Sequence, residues 1–197
     1  EFLSIKEKSI ESGIDIIQLR EKNENETKII ELAKEIKNLI KNTETLFIIN
    51  DRIDIALTCD ADGVHLGQDD FPVHEARKIT PPGFLIGLST HSEEQGKKAL
   101  KSGADYLGVG PVFQTPTKPD YIPATLNYVK WATENLTLPW FAIGGIDETN
   151  IDKVIAAGAK KIAVVRAIMN AKDPDITTKN IKNKLLGSVK TLFTTSQ

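Results

Sequence analysis

The sequence predicts an α/β fold built on a parallel sheet: a (β/α)8 TIM barrel whose first strand is missing from the chain. Short, nearly continuous apolar runs fall at 14–19, 46–49, 63–66, 84–88, 106–109, 140–143 and 162–165. Strands buried on both faces read this way. Amphipathic segments separate them, and strands alternating with helices imply a parallel sheet. A weak repeat adds to this. Ser12-Gly13-Ile14-Asp15, Cys59-Asp60-Ala61-Asp62, Ser102-Gly103-Ala104-Asp105 and Ala156-Ala157-Gly158-Ala159 each stand just before a strand. Repetition at about every second βα unit favours a barrel over the rival, a doubly wound open sheet.

The elements follow in order. Phe2 to Glu11 reads as a helix, so the strand that should precede it is absent and seven strands are counted, not eight. In 26–42 the apolar face is Ile29, Ile30, Leu32, Ala33, Ile36, Leu39 and Ile40, with lysines and glutamates opposite. Ser92 with Gln95 reads as a capping box opening a helix over 93–102. Asp147 is expected to cap 148–157, and 176–193 forms the last helix. The 197 residues suit one barrel domain, 1–197.

A net charge of −2 and a pI near 6.0 argue against general affinity for nucleic acid or membranes. No apolar stretch approaches the roughly 20 residues that span a bilayer. There is no signal peptide, and the chain opens on a polar segment, as one beginning inside a longer protein would. The single cysteine, Cys59, excludes an internal disulfide and fits a reducing, cytoplasmic setting. Its neighbours form no metal or redox motif, so it reads as packing.

Barrel chemistry sits at the C-terminal strand ends. Here those ends read Gln18-Leu19-Arg20-Glu21-Lys22, Asn50-Asp51, Gly67-Gln68-Asp69-Asp70, Ser89-Thr90-His91, Gly144-Gly145 and Arg166. The loop after 106–109 carries Thr115, Thr117 and Lys118, stiffened by Pro111, Pro116 and Pro119. Hydroxyls, loop N–H groups and a lysine suit an anion. Alternation puts Gln18, Arg20 and Lys22 on one side, which suits a polyanion. Asp51 and Asp70 would repel a phosphate unless a cation lay between, and Mg²⁺ is the economical choice. A second anion site is expected at Gly144, Gly145 and the strand before Arg166. Plainer readings stay open: solvated charges at Arg20 and Lys22, a helix cap at Asp51, a loop residue at Asp70. His65 reads as packed or as supporting the site, His74 as a helix-surface residue, and His91 as a candidate substrate contact. No zinc spacing, nucleophile elbow or triad is visible.

QLREK at 18–22, NDR at 50–52, DGVHLGQDD at 62–70, GLSTHS at 87–92, GVGPVFQTPTKPD at 108–120 and AIGGI at 142–146 together resemble the thiamine phosphate synthase family, in order over about 12–172. The resemblance implies that hydroxymethylpyrimidine pyrophosphate and thiazole phosphate combine to thiamine phosphate and pyrophosphate. Pyrophosphate leaves first, and the thiazole nitrogen attacks the pyrimidine carbocation. It implies that Gln18, Arg20, Lys22, Asn50 and Lys118 hold the pyrimidine pyrophosphate, and that Asp51 and Asp70 hold Mg²⁺. Ser89 would contact the leaving group or the pyrimidine. Thr115, Thr117, Gly145 and Arg166, Ala167 and Ile168 would receive the thiazole phosphate. Catalysis would rest on Lys118, Arg20, Lys22 and Ser89. The chain departs from the family pattern at Gln114, where proline is common. It also lacks the usual glycine within 121–125, and Arg166 stands where many relatives have serine.

Two rivals remain on the sequence: a thiazole tautomerase on the same scaffold, and a non-catalytic thiamine phosphate-binding module. Retention of Lys22, Asp51, Asp70 and Lys118 argues against the first, and the intact carboxylates argue against the second. An unrelated phosphosugar isomerase would need an acid–base pair that is not found. A homo-oligomer and a fused upstream domain are both compatible with the chain.

Overall fold

The computed structural model describes residues 8–114 and 123–193, with side chains as far as 187. After a helical turn at 8–11 the described elements are β1 (Ile16–Leu19), α1 (Glu26–Ile40), β2 (Leu46–Asn50), α2 (Ile53–Thr58), β3 (Gly63–Leu66), α3 (Val73–Ile79), β4 (Leu85–Thr90) and α4 (Glu93–Ala99). They continue as β5 (Tyr106–Val109), α5 (Thr125–Asn135), β6 (Trp140–Ile143), α6 (Ile151–Ala156), β7 (Ile162–Ala163), α7 (Arg166–Met169) and α8 (Pro174–Phe193). The seven strands form one sheet in consecutive order, and every pairing is parallel. Consecutive order excludes the doubly wound rival, in which the strand order reverses. Among the described residues β1 pairs only with β2, and β7 only with β6.

Strand parity sorts the side chains. Ile17, Leu19, Phe47, Ile49, Val64, Leu66, Ile86, Leu88 and Leu107 are buried and cluster with Ile29, Ala33 and Ile36 of α1. The opposite face, turned away from the helices, follows the register round the sheet. One row is Asn50, His65, Gly87 and Tyr106. The next is Ser89, Gly108 and Phe141.

The sequence repeat has a physical basis. Asp62 donates its N–H to the Phe47 carbonyl (2.8 Å), and its carboxylate accepts the Phe47 N–H (2.7 Å). Asp105 does the same to Ile86, at 2.8 and 2.7 Å. Each aspartate therefore clamps both backbone groups of one residue on the preceding strand, satisfying polar groups that would otherwise be buried unpaired. Arg77 braces the second clamp, donating to the Phe84 and Gly103 carbonyls and to Asp105.

Some expected details change. β4 runs on through Ser89 and Thr90, because buried Thr90 donates to the Gly108 carbonyl and accepts from Tyr128. β7 stops at Ala163, and Val165 is exposed. Asp147 does not cap the sixth helix. Asn150 is the N-cap, and the Asp147 carboxylate instead accepts from Thr149. Ser92 caps α4 as expected, but the Gln95 side chain reaches the His91 N–H. The expected first helix is described only over 8–11, and residues 2–7 lie outside the described residues.

If the clamp matters, Asp105→Ala should lower unfolding stability by about 1–3 kcal/mol, the cost of leaving the Ile86 N–H without its acceptor. Asp105→Asn, which retains an acceptor oxygen, should cost less. Urea midpoints of the two variants measure the difference.

Candidate active site

The strand ends bring charge of both signs together. The backbone leaves β2 at Asp51 with φ 63°, in the left-handed region, and Asp51 N–H donates to the His65 carbonyl at 2.9 Å. A non-glycine residue there is strained and persists only where its surroundings hold it. The turn is not a cap: α2 begins after Arg52, with no side-chain cap bond. Asp51 turns toward Asp70, and the two carboxyls interact directly. Burial raises the Asp51 pKa first, and hydrogen bonding and repulsion from Asp70 raise it further. Lys22 and Arg20 pull it back down. Lys22 Nζ lies 3.7 Å from Asp51 Oδ2. Asp70 is held from below, its Oδ2 accepting the Gly67 N–H at 2.6 Å. The loop reading of Asp70 and the ligand reading are therefore compatible.

Two facing carboxylates suit a hard divalent cation that takes its remaining ligands from phosphate and water. No group of three or more His, Cys, Asp or Glu side chains with metal-binding placement occurs among the described residues. A Mg²⁺ shared with a substrate phosphate fits the two-carboxylate donor set.

Gln18 and Arg20 are exposed at the end of β1, and Asn50 is half-buried beside His65 in the register. Ser89 Oγ lies 2.9 Å from His65 Nε2, and the Ser89 carbonyl accepts from Gln68 Nε2 at 2.6 Å. The sequence had not singled out Gln68 beyond its motif. His91 is tied through Nδ1 to the Gly110 carbonyl.

The other flank is made from backbone. Phe113 N–H donates to the Gly144 carbonyl at 3.0 Å and Val112 N–H to the Ile143 carbonyl at 2.9 Å, so the segment after β5 lies across the end of β6. Gly144 and Gly145 have φ of 101° and 66°, and a Cβ at Gly145 would press on the Gln114 carbonyl. That double turn requires glycine. Arg166 is exposed and opens α7, whose first turn also carries Ala167 and Ile168. Its charge, after the Thr149 hydroxyl as the main cause, helps keep the Asp147 carboxyl below the ordinary range. The departure within 121–125 has a conformational counterpart: Thr125 takes φ 63°, a conformation glycine adopts without cost. Thr115, Thr117 and Lys118 lie outside the described residues.

The raised Asp51 pKa makes a signed prediction for metal-free protein. The native state holds the proton more tightly than the unfolded chain. The contribution of Asp51 to stability therefore falls as pH rises above the ordinary carboxylate value and through the raised one. Asp70→Asn keeps an acceptor for Gly67 and removes the repulsion. It should raise the melting temperature of metal-free protein at neutral pH and narrow its gain on acidification. It should also abolish any stabilisation of the wild type by added Mg²⁺. Thermal melts between pH 4 and 8, with and without Mg²⁺, test all three.

Comparison with known proteins places this geometry. The family model described as thiamine monophosphate synthase matches residues 1–168. The thiamine-phosphate synthase of Gloeobacter violaceus is 49% identical over 178 residues, 90% of this chain and 52% of that protein. The protein of the same name from Synechocystis sp. is 45% identical over 93% of this chain and 53% of its own length. The chain thus spans about half the length of the curated relatives it matches. A solved thiamine phosphate pyrophosphorylase from Pyrococcus furiosus superposes with a TM-score of 0.87 at 35% identity, over 96% of this chain and 91% of that one. The motifs at the strand ends, the consecutive parallel sheet and these matches agree: the chain belongs to the thiamine monophosphate synthase family.

Proposed function

We propose that this chain joins hydroxymethylpyrimidine pyrophosphate to thiazole phosphate, releasing pyrophosphate and giving thiamine phosphate. The observation that carries the reading is the facing pair Asp51 and Asp70 with Lys22 and Arg20 beside it. A tautomerase that handles only a monophosphate has no use for such a pair, and a mere binding module has no use for its strain.

Asp51 and Asp70 would hold Mg²⁺, whose chemistry when bound would be to neutralise charge on the leaving group. Arg20, Lys22 and Lys118 would oppose the same charge, and Gln18, Asn50 and Ser89 would orient the pyrimidine. Little else is demanded of the protein, because departure of pyrophosphate leaves a stabilised cation that the thiazole nitrogen attacks. Gly145, Thr115, Thr117 and the first turn of α7 (Arg166, Ala167, Ile168) would hold the thiazole phosphate by backbone N–H groups and hydroxyls. Arg166 would add a charge there, with its own contact geometry. The partners are these small molecules, not nucleic acid. No described helix is long and apolar enough to cross a membrane, and a cytoplasmic location is part of the proposal.

The test is formation of thiamine phosphate and pyrophosphate from the two substrates with Mg²⁺. Asp51→Ala and Asp70→Asn should lower the rate by about 10²-fold or more. Full activity of both in limiting Mg²⁺ would refute the metal assignment. Lys118→Met should lower kcat, because the charge it opposes grows in the transition state. An unchanged kcat with a raised thiazole phosphate KM would move the lysine to the other substrate.

The finer architecture, a single (β/α)8 barrel domain over 1–197 whose first strand is missing from this chain, belongs to the same proposal. Asp15 occupies the repeat position of Asp62 and Asp105, yet its side chain is 86% exposed and, among the described residues, meets Lys182 at 3.4 Å. Its two counterparts clamp the preceding strand. An eighth strand beside β1 would give the Asp15 carboxylate the backbone N–H it lacks. In the full chain, Asp15→Ala should then lower the urea midpoint about as much as Asp105→Ala. No change would mean that the β1 edge is open.

A further inference from the structure

Behind Ser89 lies a chain of polar groups that pyrophosphate departure does not by itself require. His65 Nε2 is 2.9 Å from Ser89 Oγ, and His65 Nδ1 is 3.1 Å from Tyr106 Oη. The His65 and Tyr106 rings are 5.4 Å apart, and Tyr106 meets Phe141 edge-on at 5.6 Å. The groups are fitted to each other. A Cβ on Gly87 would collide with both the Tyr106 ring and His65 Nδ1, and one on Gly108 would press on the His65 ring at 3.3 Å.

We propose that Tyr106 and His65 form a one-way hydrogen-bond relay that fixes Ser89 as a donor to the substrate. The Tyr106 hydroxyl donates to His65 Nδ1, the His65 Nε2–H donates to Ser89 Oγ, and the Ser89 proton is left pointing into the strand-end site. This rests on the reading above, in which Ser89 contacts the pyrimidine pyrophosphate.

The direction follows from counting protons. Neutral imidazole carries one N–H, so the distances allow two arrangements. In the first, Ser89 donates to Nε2 and Nδ1–H donates to Tyr106. The phenol proton then has no acceptor among the described residues, and Tyr106 is 9% exposed. In the second, Tyr106 donates inward along the relay. The proton without an acceptor among the described residues is then that of Ser89, which is half-buried at a strand end where water or substrate can take it. A buried donor without an acceptor is the costlier outcome, so the second arrangement is selected. An imidazolium would donate from both nitrogens and strand the same phenol proton. Burial also pushes the Tyr106 pKa well up, which keeps the phenol protonated and able to donate.

Ser89 also loses rotational freedom. With Oγ accepting from His65 and the Ser89 carbonyl accepting from Gln68, both the side chain and the backbone of Ser89 are tied in place. A donor fixed before the substrate arrives need not reorganise as charge grows on the departing group. Tyr106 and His65 are therefore positioning residues that act through Ser89.

Nitrogen-15 NMR of substrate-free protein, whose three histidines are separable by substitution, reads the tautomer directly. The expected result is Nε2–H at His65 in the wild type and in Ser89→Ala, with the Nδ1 resonance moving in Tyr106→Phe as that nitrogen loses the phenol donor. Tyr106→Phe should lower kcat on the order of 10-fold with little change in KM, as part of the donor's contribution is lost. In a Ser89→Ala background the same substitution should cost nothing further. His65→Gln, which keeps an amide N–H in reach of Ser89, should retain more activity than His65→Leu. An Nδ1–H tautomer in the wild type overturns the relay. So does an equal cost of Tyr106→Phe in both backgrounds, which would mark a packing role. Ser89→Ala with unaltered kcat overturns the proposal through the substrate reading instead, and the NMR result separates the two failures.

Discussion

Room on the inner face of the sheet is the constraint on which the rest of this molecule depends. The strands run in consecutive parallel order and carry their helices on one side, so every second side chain must fit on the other. Those rows cannot be bulky throughout. Gly63, Gly87 and Gly108 supply the space, and His65, Tyr106 and Phe141 use it. At Gly63 a Cβ would run into the Leu85 backbone, and at Gly87 into two side chains at once. Neither can be relieved by rotating a flexible chain end. The glycines inside these strands therefore reflect close approach, not backbone freedom. The same packing sets the height and direction of His65, and through it the oxygen of Ser89.

The helix-side surface is governed by a different device, the aspartate clamp at the foot of a strand. It explains why a repeat of four residues is detectable in a chain whose helices differ from one another. A carboxylate at that position meets the N–H of the neighbouring strand whatever the side chains above it do. The repeat also marks where the device lapses. Ala159 stands in the fourth copy, and β7, which follows it, is only two residues long. Asp15 keeps the carboxylate, and among the described residues no strand stands beside β1 to receive it.

The strands were legible because burial on both faces leaves an unbroken apolar run, and β2, β3, β5 and β6 match that signal within one residue. β4 overran its apolar run because Thr90 is satisfied by Gly108 and Tyr128, a pairing between residues 18 and 38 positions away that no local pattern carries. Helices such as α2, α3 and α7 are four to seven residues long, too short for a 3.6-residue period to stand out. At the site, parity and strand ends pointed to which residues share a rim. They could not tell that Asp51 turns away from capping and toward Asp70, since this depends on a left-handed backbone at a non-glycine residue. Whether His65 was packing or support for the site was likewise not legible locally. Tyr106 and Ser89, which its ring nitrogens meet, come from β5 and β4, and only the register brings them to it.

The frustration at the rim and the order beneath it fit together. Asp51 is partly buried, repelled by Asp70 and only loosely paired with a lysine whose side chain is 57% exposed. A chain selected for stability alone would replace one of these carboxylates with an amide. Such a pair is favourable only when something of opposite charge completes it, so its cost is recovered on binding. The relay beneath is the reverse case: Tyr106 and His65 are satisfied by each other and by Ser89, and they need nothing from a ligand. A rim that would gain from charge arriving, above a floor whose polar groups already meet one another, is the arrangement expected where electrostatic stabilisation of a departing anion does most of the chemistry. It places the groups that change on binding at the mouth of the sheet, and the groups that set their geometry one row down.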